Sequence, residues 1–360
     1  MDPAAHPPGR ALGRRTLLAG VAGAVGASML ASCGTPPLPR FEAVDGVIRD
    51  LNGRTFTSIG ANIGTLLNFD WKGDARGHAS DALEWGWNTV RLNVMVTAGA
   101  DWSFVATHSL DALLDLVSEL VDEYTAAGLV VIIDAHDNPR TTGNNQAAIE
   151  AAMASWWTFA ATRFRDNPRV WCGLINEPAY ANAEWVRIND SLAGAVRATG
   201  NANPILIGAP GWGQDVGYSP PYFHDSKFSY EPDMAPILQQ RHGNVILEQH
   251  NYGAYGIYAT ADKLAGYLAK VRGAGLTPLI GEFGYTIDRT STAGTFMANY
   301  AAAQAVFDLA GGDGVGALWW HATHGDKYSV KADGSAFWVD GAGQRLSDGG
   351  SKLWKLARAH

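Results

Sequence analysis

The chain has 360 residues, 47% hydrophobic and 17% charged, with a formal net charge of -8. That composition is globular with material for a large core, and the length fits two domains or one α/β barrel of ~250 residues or more. The acidic balance, with no basic run beyond the N-terminus, argues against a nucleic-acid partner, and two cysteines, Cys33 and Cys172, give no basis for a disulfide framework.

Residues 1–32 read as an address. Arg14-Arg15 precede an apolar, Gly/Ala-rich run that reaches Ala31. A basic start, an apolar stretch and small residues before a cut describe an export signal. The paired arginines suggest the twin-arginine route, although Leu stands where Phe is usual and no Lys follows. Leu30-Ala31-Ser32-Cys33 resembles a bacterial lipobox, which implies that Cys33 becomes the lipidated first residue of the mature chain. The alternative is an ordinary cleaved signal with an incidental cysteine. Residues 33–41 carry Pro36, Pro37 and Pro39 and read as an extended tether. No other stretch reaches the ~18 apolar residues needed to span a bilayer. The expectation is an exported protein, extracellular or at the cell surface, touching membrane only through a lipid on Cys33.

Past the tether, 44–50 and 54–57 flank Leu51-Asn52-Gly53 as a β-hairpin, with Gly53 supplying the turn angle. Buried strands are predicted over 58–63, 88–94, 129–135, 170–176, 204–208, 245–250, 277–282 and 315–320. Helices are predicted between them over 110–127, 145–164, 183–198, 261–274 and 295–309. The first has a one-sided apolar face of Leu113, Leu114, Leu116, Val117, Leu120 and Val121. Gly128, Gly200, Gly275 and Gly311 stand near helix ends as stops. The exception is 212–242, a long Pro/Tyr-rich loop in place of a clear helix. Continuous apolar strands alternating with helices mean a parallel sheet covered on its outer side. Eight repeats suggest an α/β fold of the (β/α)8 TIM-barrel class with an N-terminal β-hairpin, a single domain over 42–360, and active residues at the C-terminal strand ends.

Polar and aromatic residues collect at those ends. The first strand ends in Asn62, the second carries Arg91, and the third leads into Asp134-Ala135-His136-Asp137. The fourth ends in Asn176-Glu177, the fifth leads into Pro210-Gly211-Trp212-Gly213-Gln214-Asp215, and the sixth gives His250-Asn251-Tyr252. The seventh ends in Glu282 and the eighth in Trp319-Trp320-His321. Burying an ionised carboxylate is costly unless it is paired or used. Glu177 and Glu282 each close an apolar run, and two such glutamates from distant strands suggest a carboxylate pair across a barrel mouth, the apparatus of glycoside hydrolysis.

The set resembles glycoside hydrolase family 5, within the clan of retaining (β/α)8 glycosidases, over roughly residues 42–325. The hairpin with Asp45-Gly46 and Asn52-Gly53 is similar to the one that opens that family's barrel. The resemblance implies retaining hydrolysis of β-1,4-glycosidic bonds in a plant-type polysaccharide, with Glu177 as acid/base, Glu282 as nucleophile and no cofactor. It implies that Asn176 donates to the sugar's 2-hydroxyl, that His136 and His250 bond substrate or hold the glutamates, and that Trp320 forms an apolar floor, with Asn62 in support. The chemistry agrees with these roles. A nucleophile must be ionised, so Glu282 needs cationic or hydrogen-bonding neighbours, for which Arg91 and Tyr252 are the candidates. An acid/base must carry a proton in the first step, which a negative Glu282 favours until the glycosyl-enzyme ester removes that charge.

Ala209-Pro210-Gly211-Trp212-Gly213-Gln214-Asp215 is similar to the segment after the fifth strand in some bacterial β-mannanases, as is His136-Asp137 followed by Thr141-Thr142-Gly143. Trp171-Cys172-Gly173-Leu174-Ile175-Asn176-Glu177-Pro178 fits endoglucanases. The reading leans to β-mannan, with β-1,4-glucan and other β-glucans or glycolipids as alternatives. The tail loop 325–343, with Tyr328, Phe337 and Trp338, is expected to wall one side of the cleft.

Plainer readings stand beside each role. Either glutamate alone could be an ion-pair partner, His136 a satisfied core histidine, and Trp212 a pin for its own loop rather than a sugar platform. Asp134, His136 and Asp137 could suggest a metal site, but neighbouring strand ends lack the further ligands, so no metal is expected. A sugar-binding surface lipoprotein without catalysis would have no use for both glutamates. The protein is expected to act on a polysaccharide or oligosaccharide as a monomer.

Overall fold

In the computed structural model, residues 38–66, 75–97, 104–137, 146–178, 180, 182–215, 235–253, 258–287, 293–323, 328–333, 335–337 and 346–360 are described. The export segment, Cys33, most of the tether, 141–143 and Trp338 lie outside them. Eight strands close a barrel in sequence order: β4 (Ile59–Leu66), β5 (Thr89–Val94), β6 (Val130–Ala135), β7 (Val170–Gly173), β8 (Ile205–Gly208), β9 (Val245–Asn251), β10 (Thr277–Phe283) and β11 (Gly316–Trp319). All neighbours pair in parallel, and β11 returns to β4. Both faces of these strands are covered, which is why β5, β6, β9 and β10 are buried at every position, apolar over their early residues in β6 and β9 and polar toward the ends that carry Asp134, Glu248 and His250.

The predicted hairpin is a three-stranded antiparallel sheet, β1 (Glu42–Val44), β2 (Val47–Arg49) and β3 (Thr55–Phe56). It supplies Ile48 to a cluster that also holds Phe41, Val130, Ile132, Trp171, Leu206, Ile246, Leu279 and Leu318. Phe41 packs edge-on against Phe56 and Trp171, at 4.9 and 5.3 Å between ring centres. This cluster fills the lower barrel, so polar side chains can project inward only above it.

The outer layer contains α1 (Ala79–Glu84), α2 (Leu110–Ala126), α3 (Gln146–Arg163), α4 (Asn182–Ala198), α5 (Ala235–His242), α6 (Ala261–Gly273), α7 (Ala293–Leu309) and α8 (Asp348–Arg358). The predicted helices match α2, α3, α4, α6 and α7 to within about two residues, the ordinary uncertainty of helix ends. Three others escape periodicity. The 212–242 segment ends in α5, a helix of 8 residues that buries only Ala235 and Leu238, too little to show a repeat. α1 has 6 residues. α8 carries a readable start, since Ser347 caps it by accepting from Gly350 N at 2.9 Å.

One irregularity decides where the chemistry points. Along β10, Leu279 pairs with Glu248, Ile280 with Gln249, and Glu282 with His250, so Gly281 is an extra residue in the register. Strict alternation from inward-facing Leu279 would send Glu282 outward. The bulge re-aims it into the barrel. Gly281 is required there for space: a Cβ would lie 1.9 Å from Glu248 Oε1.

Candidate active site

Arg91 stands at the centre of the barrel mouth, with no exposure at all. Its Nη1 donates to Glu282 Oε1 and to Asn62 Oδ1, both at 2.9 Å, and its Nη2 donates to Asn176 Oδ1 at 3.0 Å. Ion pairs join Nη2 to Asp134 Oδ1 at 3.0 Å and Nε to Glu248 Oε1 at 2.7 Å. Burial works against the guanidinium charge, and the three carboxylates Asp134, Glu248 and Glu282 reverse that and keep Arg91 protonated. Burial likewise opposes the charge on Asp134, yet Arg91 and His136 hold it below the usual carboxylate range.

Glu282 is held from several sides. Tyr252 donates its hydroxyl to Oε2 at 3.1 Å, and His250 Nδ1 lies 3.4 Å from the same oxygen. Burial pushes Glu282 above the ordinary carboxylate range, with Glu177 adding to the push and the cations His250 and Arg91 opposing it. Burial alone would strip the proton from His250, but the carboxylates of Glu282, Glu177 and Glu248 raise it to about 10. The two charges sustain each other. Burial, with Glu282 and Glu177, lifts the Tyr252 phenol well above its usual value, so its hydroxyl is a donor.

Glu177 faces Glu282 across His250, whose Nδ1 lies 3.0 Å from Glu177 Oε1. Its side chain is 25% exposed against 4% for Glu282, so it alone of the pair has access to water. Its φ is 45°, left-handed for a non-glycine residue, which costs about 1–3 kcal/mol and is typical of functional turns. Gly208 on β8 makes the turn possible, since a Cβ there would meet Ile175 O and Pro178 Cδ at 2.9 Å.

A cavity of about 360 Å³ opens above these groups. His136, Asn176, Glu177, Tyr252, Glu282 and Trp320 line it, together with Gln214, Asn299 and Tyr328. His136 stacks parallel to Trp320, with ring centres 5.2 Å apart, and its Nδ1 is 2.7 Å from Asp134 Oδ2. Trp319 faces away into the core at 1% exposure. Arg91, His250 and Asn62 sit behind the lining. Asn62 clamps strands, donating to Gly281 O at 2.9 Å and Trp319 O at 3.2 Å. Trp212, the expected sugar platform, adopts φ 62° in the turn after β8 and is not among the lining residues; Gln214 of the same turn is.

Two residues had no assigned role in the sequence reading. Glu248 had a visible signal, because it stands two before His250 in a strand and therefore shares its inward face. Asn299 had none, lying in the Ala-rich run of α7. It accepts from Gly253 N at 2.8 Å and donates to Tyr328 Oη at 3.5 Å, tying the residue after Tyr252 to the cavity wall.

Among the described residues, Glu177, His250 and Glu282 are the group whose possible ligand atoms come within 4.8 Å of one another. All three are already engaged by charged partners, Glu282 by Arg91 Nη1 at 2.9 Å and both glutamates by His250 Nδ1. Asp134 and His136 are spent on Arg91 and on each other. Asp137 turns away to hold the loop after β5, accepting from Val96 N at 2.7 Å and from the Thr97 backbone and hydroxyl.

A closed parallel barrel whose mouth sets two glutamates around one imidazole belongs to the class of (β/α)8 glycoside hydrolases. The model for cellulase (glycosyl hydrolase family 5) matches residues 50–326, and the chain belongs to that family; it is an O-glycosyl hydrolase. It is 28% identical over 280 residues to the mannan endo-1,4-beta-mannosidase of Streptomyces lividans, covering 75% of this chain and 67% of that one. The catalytic domain of the mannanase from Streptomyces sp. SirexAA-E superposes with a TM-score of 0.64 at 23% identity, covering 92% of this chain and 95% of that one. The catalytic domain of Thermobifida fusca endoglucanase Cel5A gives 0.65 at 16%, covering 89% and 98%. These two likenesses bear on the fold.

Tyr252→Phe removes a donor to the ionised form of Glu282 and so raises that carboxyl further. The acid limb of kcat/KM is expected to move to higher pH, with a fall of roughly 10–100-fold at neutral pH, as for the loss of a hydrogen bond to a charge. A pH–rate profile measures both, and an unmoved acid limb would contradict the assignment.

Proposed function

We propose that the protein is a retaining β-1,4-glycanase acting on β-mannan. The observation that carries the mechanism is the close approach of the two glutamates, whose oxygens come within 4.8 Å and share one imidazole nitrogen. Retaining enzymes hold their carboxyl groups ~5–5.5 Å apart, whereas inverting enzymes need ~6.5–9.5 Å to admit a water between carboxylate and sugar.

In the first step a Glu282 oxygen bonds to the anomeric carbon while the glycosidic bond breaks, and Glu177 gives its proton to the departing oxygen. His250 donates to Glu177 Oε1, which leaves Oε2 to carry that proton. Arg91 and Tyr252 hold the two oxygens of Glu282 in place for attack. In the second step Glu177, now a carboxylate, takes a proton from water, whose oxygen bonds to the anomeric carbon and releases Glu282. The partial exposure of Glu177 suits both exchanges. Asn176, positioned by Arg91, is available to the sugar's 2-hydroxyl, and Trp320 backed by His136 offers the apolar floor.

The preference for mannan rests on the 209–215 segment and the long match to a mannan endo-1,4-beta-mannosidase. The 171–178 segment supports β-1,4-glucan as the second reading. Reducing-end release from mannan, glucomannan, cellulosic glucan, mixed-linkage glucan and xyloglucan decides between them. Mannan is expected to be cleaved fastest, and Glu282→Gln to release nothing from any polymer. Glu177→Gln is expected to keep the first step on substrates with activated leaving groups and to slow the second. Full activity of Glu282→Gln would refute the mechanism.

We further propose export through residues 1–32 and anchoring through a lipid on Cys33, supported by Arg14-Arg15 and Leu30-Ala31-Ser32-Cys33. Among the described residues no helix is long and apolar enough to cross a membrane. Mass spectrometry of the mature protein is expected to find Cys33 first and acylated. A mature chain starting elsewhere, with unmodified cysteine, would refute the anchor.

A further inference from the structure

Glu248 is the third carboxylate on Arg91, yet it does not line the cavity and is 1% exposed. It cannot touch substrate. One of its oxygens, Oε1, lies 2.7 Å from Arg91 Nε and 3.8 Å from His250 Nε2. The backbone makes room for it, since a side chain at Gly281 would occupy the place of that oxygen. The bulge that turns Glu282 inward and the space that admits Glu248 are thus one residue.

Both ring nitrogens of His250 therefore face carboxylates. Nδ1 faces Glu177 Oε1 at 3.0 Å and Glu282 Oε2 at 3.4 Å, and Nε2 faces Glu248. A neutral imidazole has one N–H and one lone pair, so either tautomer would aim a lone pair at a carboxylate. At 3.8 Å the Nε2 contact is an electrostatic one rather than a hydrogen bond, and the imidazolium is the form attracted by the carboxylates on both sides. Without the Glu248 charge, a neutral ring with its proton on Nδ1 would suffice.

We propose that Glu248 is a positioning residue for hydrolysis: through one oxygen it fixes Arg91 and holds His250 as an imidazolium, so that two cations flank the nucleophile Glu282. The inference rests on the glycosidase roles proposed for Glu177 and Glu282. Among the described residues, the titratable and charged groups around His250 come from five elements. Glu248 comes from β9, Tyr252 follows that strand, Glu282 comes from β10, Glu177 from the turn after β7, and Arg91 from β5. The turn after β8 brings Gly213, whose carbonyl accepts from His250 N at 2.7 Å; Asp215 of that turn is buried beside Tyr267 and Lys270 instead.

Glu248→Gln keeps the shape and removes the charge. In the full chain labelled with 15N-histidine, the imidazole signals of His250 are followed from about pH 6 to 11 alongside kcat and KM on the polymer that the wild type cleaves. The His250 titration is expected to fall by ~1–3 units, the usual effect of losing an adjacent opposite charge. Above the lowered His250 titration, where the variant's ring is neutral and the wild type's still charged, kcat is expected to drop roughly tenfold with KM within about twofold, because Glu248 never meets the sugar. An unchanged titration would overturn the proposal, as would a shifted titration with unchanged kcat. If the Gln variant does not fold, Glu248→Asp serves, with a smaller shift in the same direction expected and no shift overturning the proposal. A wild type that cleaves no glycan would remove the glycosidase reading instead, while the titration still judges the link between Glu248 and His250.

Discussion

A guanidinium with no access to water has to be neutralised where it stands. Arg91 is neutralised by Asp134 from β6, Glu248 from β9 and Glu282 from β10, with Asn62 and Asn176 taking further donor positions. Breaking one member of a buried ion pair costs about 3–5 kcal/mol, because the partner is left charged and dry. The upper barrel therefore tolerates few alternatives. Strand order, the inward aim of Glu282 and the orientation of Asn176 are all tied to the same five donors of one side chain.

That constraint explains the unequal environments of the two glutamates. Glu282 lies deep in the ion network, raised by burial but flanked by two cations, so its charge is available and poorly solvated. Glu177 stands at the rim on a left-handed turn, reached by His250 and by water. In the proposed mechanism, burial and neighbours set two carboxyl groups of identical chemistry to different tasks. His250 lies between them and carries a charge that each helps to maintain.

The barrel was readable because strands buried on both faces leave short apolar runs such as 130–133 and 205–207, and because strand ends carry Arg91, Asn176, Glu177, His250 and Glu282 in one joint pattern. What periodicity missed has physical causes. The shift at Gly281 changes inward and outward faces within one strand, and it shows only in the registers with the neighbouring strands β9 and β11. β7 ends at Gly173 rather than running on to Asn176, since the chain turns early beneath Glu177. α5 is too short to repeat, and Asn299 acts from within an Ala-rich stretch of α7 that carries no chemical motif. Trp212 could be read from sequence either as a sugar platform or as a pin for its loop, and in the structure it is Gln214 of the same turn that lines the cavity.

The central claim is that Glu282 becomes covalently bonded to the sugar. A 2-deoxy-2-fluoro glycoside with an activated leaving group slows the second step more than the first and lets the ester accumulate. Incubating the protein with the manno- and gluco-configured reagents, then digesting it and sequencing the labelled peptide, locates the bond. The account predicts one sugar per chain, attached at Glu282. A label on another residue, or a catalytically active protein that never accumulates a glycosyl-enzyme and inverts its product, would contradict it.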